Sequence, residues 1–157
     1  MKKDLKNIVI GVLIALCLFV LAMQWLSLIF NFVAAPDLVE LNNSGEGAFV
    51  KTVRFVQWTS LALFCLLVPT LLCFTLSAFT KSTALNITAI ALGAAVAICC
   101  IVFMAIPSNY HHYGDDNIDA VTMEAITSFW EVMISILIPS AILTGFAVAR
   151  LVKGGKK

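Results

Sequence analysis

Two stretches of the chain contain residue types that could do chemistry. The first is rich in imidazole and carboxylate groups: His111, His112, Asp115, Asp116 and Asp119. Such groups at this density are ligands that Zn²⁺ and other divalent ions take in proteins. The same aspartates also suit the start of a following helix, because their carboxylates accept hydrogen bonds from free backbone amides. Helix capping is the favoured interpretation, and a metal site is the alternative.

The second stretch surrounds Glu131, the only acidic residue inside a hydrophobic segment long enough to cross a membrane. Placing a charge in hydrocarbon costs about 2.5–3.5 kcal/mol or more, so such residues are usually paired or functional. Arg54 enters a neighbouring segment at a similar depth, and Gln24 and Gln57 could complete a polar cluster. The favoured interpretation is an ion pair with Arg54. The alternatives are a proton or ion path and a docking point for another subunit.

The composition indicates that lipid is the solvent of this chain. Of its 157 residues, 61% are hydrophobic and 12% are charged, and the mean hydropathy is +1.01. A soluble domain has about 25% charged residues, so this chain has too little charge to solvate a globule. The net charge of +1 also argues against a nucleic-acid partner, which requires a basic surface.

Four hydrophobic segments are long enough to span a bilayer as helices, which need about 20 residues. Helices are expected because a spanning backbone must satisfy its own hydrogen bonds in lipid. The predicted spans cover about residues 8–30, 55–79, 84–106 and 125–151, with outer loops at 31–54 and 107–124 and an inner turn at 80–83. The sequence thus predicts an all-α integral membrane protein, a four-transmembrane-helix antiparallel bundle that forms a single domain over residues 1–157.

Basic residues predict the orientation of the bundle. Eight of the ten Lys and Arg residues lie in the two terminal segments and the 80–83 turn. Because cytoplasmic segments carry excess Lys and Arg, both termini are expected to be cytoplasmic. Trp25, Trp58 and Trp130 then fall near the outer boundary, where tryptophan is enriched. The expected location is the cytoplasmic or plasma membrane, as a multi-pass protein.

Small residues predict which helix faces meet. The third span contains Ala89, Gly93 and Ala97, and the inner half of the fourth contains Ala141, Gly145 and Ala149. Small residues let helix backbones approach closely in lipid, so we expect these two stripes to pack together. The outer half of the fourth helix has its polar residues on roughly the same side: Glu124, Ser128, Glu131 and Ser135.

Functional motifs are lacking, and the five cysteines lie in apolar runs without a C-x-x-C pair. The sequence contains no phosphate loop, nucleophile elbow or zinc-protease motif, and no span contains the histidine that a haem would need. No cofactor is therefore expected, and the lack of motifs disfavours an enzyme but leaves the question open. The leading hypothesis is an accessory, assembly or immunity-type subunit that contacts a larger membrane partner. The alternatives are an oligomeric transporter or channel subunit and a metal-dependent membrane enzyme using the His-Asp loop.

Overall fold

The structure, a computed structural model, is all-helical in the residues it describes, which are 2–41, 48–80, 82–110 and 120–154. Side-chain positions are described for residues 5–33, 50–80, 82–106 and 126–153. The helices are α1 (Lys2–Leu41), α2 (Ala48–Phe79), α3 (Thr83–Tyr110) and α4 (Ala120–Gly154).

Each helix contains a segment that is long and apolar enough to cross a membrane. These segments are Leu5–Val33, Val50–Phe79, Thr83–Ile106 and Ile126–Lys153, with mean hydropathies between 2.2 and 2.8. The length and composition of these four helices confirm the prediction of a helical, multi-pass membrane protein with four spans.

The helices extend further than the predicted outer loops allow. Residues 31–41 continue α1, residues 48–54 begin α2, and α3 continues to Tyr110. Hydropathy indicates where a segment leaves the lipid, whereas a helix continues for as long as its backbone hydrogen bonds continue. The 40 residues of α1 span about 60 Å, roughly twice the thickness of the hydrocarbon core.

The four helices are arranged so that helices adjacent in sequence pack together. The largest interfaces join α3 to α4 and α1 to α2, while α1 also contacts α4. In the described helices, α2 and α4 touch each other across the centre, and α1 and α3 do not meet. The middle of the bundle is therefore formed by α2 and α4.

Buried side chains line α2 and α4 at alternating intervals of three and four residues. This spacing keeps one side of a helix against its neighbour, as in left-handed helix packing. On α2 the buried stripe is Ser60, Leu63, Leu67, Thr70, Phe74 and Ser77, and on α4 it is Phe129, Met133, Ile136, Ser140, Leu143 and Ala147.

Aromatic contacts hold one end of the bundle. Phe55 of α2 meets Phe103 of α3 and Phe129 of α4 edge-on, with ring centroids 6.2 Å and 5.9 Å apart. Such geometry adds about 0.5–1.5 kcal/mol per pair beyond the area that it buries. These contacts join three helices near the starts of α2 and α4.

At the other end, Arg150 of α4 caps the C-terminus of α2. Its Nη1 donates to the carbonyl of Ser77, and its Nη2 donates to the carbonyl of Ala78 at 3.0 Å. The last carbonyls of a helix lack intrahelical donors and carry the negative end of the helix dipole. A guanidinium group there satisfies two carbonyls and ties α4 to α2.

The closest approach between helices is at Gly93 of α3. A Cβ atom at this position would overlap Thr144 Oγ1 of α4 and lie 2.8 Å from Phe74 Cζ of α2. A shift of either neighbour would disturb existing contacts, because Phe74 is buried in the core and Thr144 Oγ1 donates to the carbonyl of Ser140 at 2.7 Å. Only glycine fits where these three helices converge.

Candidate functional site

The side of α4 that faces away from the bundle differs from a surface built for lipid alone. Its exposed residues recur at alternating steps of three and four, and we call this stripe the outward face of α4. The outward face consists of Glu131, Ile134, Ile138, Ala141, Gly145, Val148 and Val152. It lies opposite the buried stripe that packs against α2 and α3.

Glu131 is an exposed side chain inside the apolar segment of α4. Among the described side chains, none makes an ion pair or hydrogen bond with its carboxylate. An ionised carboxylate that faces hydrocarbon without a partner is costly. The carboxylate of Glu131 therefore requires either a cation or hydrogen-bond donor from outside the bundle, or a location in the headgroup region.

Among the described side chains, no ion pair or hydrogen bond links any two of the four residues of the proposed polar cluster, so the cluster stays a prediction. Arg54 is exposed like Glu131. The Nε2 of Gln57 donates instead to the carbonyl of Phe32 on α1 at 3.4 Å. Gln24 is half-buried on α1.

The structure corrects the expected pairing of the two small-residue stripes. Gly93 does pack against α4, but its neighbour there is Thr144, one residue before Gly145. A Cβ atom at Gly145 would meet nothing within 4 Å, and the flanking Ala141 and Ala149 are exposed. Thr144, Leu143 and Ala147 lie on the side of α4 turned towards the bundle, so the small stripe of α4 points outwards.

The outward side of α1 provides a comparison with α4. It also has an exposed stripe at steps of three and four, but every member is a large apolar residue: Leu5, Val9, Val12, Leu16, Phe19, Met23, Leu26, Phe30 and Val33. Large apolar side chains gain nothing by exchanging lipid for protein, whereas small residues favour close helix contact. The outward side of α1 suits lipid, and the outward face of α4 suits another helix.

The predicted metal ligands His111, His112, Asp115, Asp116 and Asp119 lie outside the described residues, so their metal and capping interpretations stay predictions. Within the described residues, no group of three or more His, Cys, Asp or Glu side chains could hold a metal ion. All five cysteines are free thiols.

The candidate site is therefore an exposed side of α4 that combines one carboxylate with a row of small residues. Glu131 supplies an acceptor in the half of α4 nearer Phe129, and Ala141, Gly145 and Ala149 permit close approach in the other half. Comparison of the chain with known protein families, curated proteins and solved structures finds no match to any of them.

Proposed function

We propose that this protein is a small accessory or assembly subunit that docks the outward face of α4 against a transmembrane helix of a larger partner. The observation that carries the proposal is the exposed position of Glu131 inside a membrane span. The small residues Ala141 and Gly145 further along the same face support it, because they offer little apolar area to lipid and no steric barrier to a second backbone.

The face also defines the chemistry of the partner. A carboxylate in low dielectric is stabilised by a cation or by several hydrogen-bond donors. The partner helix is therefore expected to carry Lys, Arg or a cluster of polar donors at the depth of Glu131. Towards Val152 the partner is expected to be apolar. The spacing of the outward face favours a shallow, left-handed crossing like that of a coiled coil.

The substitution Glu131→Gln tests this proposal. Because Glu131 is exposed and unpaired in the described part of the bundle, we expect thermal stability in detergent to change by less than about 0.5 kcal/mol. The partner, however, loses its ionic contact. Gentle purification followed by native mass measurement is expected to recover a complex with the wild-type chain and the free chain with the variant.

Leu16→Ala is the matched control, because Leu16 is exposed on the lipid-facing side of α1. This variant is expected to keep both its stability and its partner. A complex that survives Glu131→Gln, or a strong loss of thermal stability, would refute docking through this residue. A recovered mass equal to two copies of this chain would show that the partner is a second copy and not a larger protein.

We further propose that the bundle is antiparallel with both termini in the cytoplasm. Contacts between α1 and α2 run in opposite sequence order: Gln57 meets Phe32, Phe64 stacks on Trp25, and Ser77 lines a cavity with Ile14. Arg150 lies beside the end of α2, which supports a common direction for α2 and α4. The basic residues favour the cytoplasm for the Arg150 end.

Thiol labelling of intact cells tests the orientation. In a chain whose native cysteines have been replaced, a cysteine at Ser44 or at Gly114 is expected to react with an impermeant thiol reagent. A cysteine at Ser82 is expected to react only after the membrane is opened. Labelling at Ser82 alone in intact cells would reverse the assignment.

A further inference from the structure

A small cavity opens at the end of the bundle where Arg150 caps α2. It has a volume of about 30 Å³, lies between α1, α2 and α4, and is lined mainly by apolar side chains, among them Ile14, Phe74, Phe146 and Ala147. We call it the Arg150 cavity, because the side chain of Arg150 forms part of its wall. About two waters would fill this volume, so the cavity cannot enclose a ligand. It is open on one side, and a larger apolar molecule can lie along it.

The surface of α1 leaves further space beside the Arg150 cavity. Gly11 lies three residues before Ile14, so the two residues share one side of α1. A Cβ atom at Gly11 would meet nothing within 4 Å. Ile14 and Phe146 are only half-buried, which leaves apolar carbon of α1 and α4 uncovered at the cavity. An apolar chain that lies here covers these side chains without displacing a helix.

Arg150 has hydrogen-bonding capacity that the described bundle does not use. A guanidinium group has five N–H donors, two of which bond to the carbonyls of Ser77 and Ala78, so three remain. Lys153 adds a second exposed cation one turn later on the same side of α4. α2, α3 and the chain after Glu131 contain no Asp or Glu, so none of these segments supplies the two cations with a counter-ion.

The two cations lie where α4 reaches the lipid headgroups. Both are at the end of its apolar segment, Ile126–Lys153. A phosphate group at this level can accept hydrogen bonds from the guanidinium and from the ammonium group. Basic sites between transmembrane helices on the cytoplasmic side are known to bind anionic headgroups. Residues 1–6 contain three Lys and one Asp, so the start of α1 also favours an anion at this end.

We propose that an anionic phospholipid binds at the Arg150 cavity, with its phosphate on Arg150 and Lys153 and with one acyl chain along Ile14 and Phe146. A headgroup with a net negative charge is required, because the ammonium of a zwitterionic headgroup would add a positive charge beside Lys153. The site lies between α1, α2 and α4 and not on the outward face of α4. The inference therefore goes beyond the docking of a partner at Glu131.

Lipid titration of the purified chain in nonionic detergent tests the proposal. The probes are phosphatidylglycerol and phosphatidylcholine with identical acyl chains, and native mass measurement counts the bound molecules. We expect one phosphatidylglycerol per chain, bound at least about tenfold more tightly than phosphatidylcholine, since the site offers two charged donors and no counter-ion. Equal affinities for the two lipids would overturn the proposal.

Lys153→Ala is the main variant, because it removes one cation of the site and leaves the cap on α2 in place. It is expected to weaken phosphatidylglycerol binding about fivefold. The matched control is Lys51→Ala, which removes the same charge from an exposed position near the start of α2, at the opposite end of the bundle. This control is expected to keep its affinity within about twofold, because the distance exceeds the range of screened charges. Equal weakening by the two variants would show unspecific attraction and overturn the site.

Inorganic phosphate distinguishes a lipid site from a site for any anion. At about 100 times its Kd, phosphatidylglycerol is expected to raise the Tm by about 5–10 °C. Inorganic phosphate at the same concentration is expected to leave the Tm unchanged, because it has no acyl chain for the Arg150 cavity. An equal rise with phosphate would overturn the assignment to lipid. Glu131→Gln is expected to bind phosphatidylglycerol normally, so failure of partner docking and failure of lipid binding can be told apart.

Discussion

Replacing Gly93 with alanine is expected to destabilise the bundle by about 2–3 kcal/mol, as overpacking of a filled core does. The added methyl group would overlap Thr144 Oγ1 and press against the ring of Phe74, so α3 would have to move away from both α2 and α4. Thermal unfolding in detergent, monitored by circular dichroism, measures the loss. Gly93→Leu adds more bulk and is expected to prevent assembly of the folded bundle.

Gly145→Ala is the control for this experiment, because it makes the same change on the neighbouring helix α4 at a position that faces away from the bundle. A Cβ atom at Gly145 meets nothing within 4 Å, and alanine is the better helix former by about 1 kcal/mol. Stability is therefore expected to stay the same or increase. Combining Gly93→Ala with Thr144→Ala removes the nearest clashing atom and is expected to recover part of the loss. Equal destabilisation by the two glycine variants would contradict the described packing.

Replacing Arg150 with alanine is expected to cost about 1.5–3 kcal/mol, the usual contribution of hydrogen bonds to a charged group. The change leaves the carbonyls of Ser77 and Ala78 without their donors and separates the last turn of α4 from α2. Because Arg150 is exposed, water replaces some of this bonding, so the lower half of the range is expected. Chemical or thermal unfolding in detergent gives the value.

Two further variants distinguish capping from simple charge. Arg150→Lys keeps the positive charge but replaces a planar fork with a single ammonium group that does not hold two carbonyls in the same way. It is expected to recover less than half of the lost stability. Lys153→Ala removes an exposed positive charge one turn later and is expected to change stability by less than about 0.5 kcal/mol. Full recovery with lysine would reduce the role of Arg150 to electrostatics alone.

The number and positions of the spans could be predicted from sequence because both depend on hydropathy. The predicted limits at residues 84–106 differ by one residue at their start from the apolar segment of α3, Thr83–Ile106. The helix ends were predicted less well: α1 continues to Leu41 and α3 to Tyr110. Backbone hydrogen bonds carry these helices beyond the apolar residues, and hydropathy has no information about them.

The faces of α4 could not be predicted in the same way. Ala141, Gly145 and Ala149 form a pattern that suits close packing, but the pattern does not specify whether the neighbour belongs to this chain. The buried side is decided by Leu143 and Ala147 together with Thr144, whose hydroxyl is satisfied within α4. Arg150 contributed to the orientation only as a positive charge. Its capping role depends on the end of α2 arriving beside it, which is a tertiary property.

The short connection between α2 and α3 constrains how the protein enters the membrane. α2 ends at Phe79 and α3 begins at Thr83, and the four residue steps between them reach at most about 14 Å. The hydrocarbon core is about 30 Å thick, so Phe79 and Thr83 cannot be left on opposite sides of it. In the proposed antiparallel bundle, the insertion machinery therefore accepts α2 and α3 as a single helical hairpin. If synthesis stops before α3 is complete, Ser60 and Thr70, which are buried in the complete bundle, are left facing lipid on α2. We expect membrane quality control to recognise and degrade such an incomplete chain.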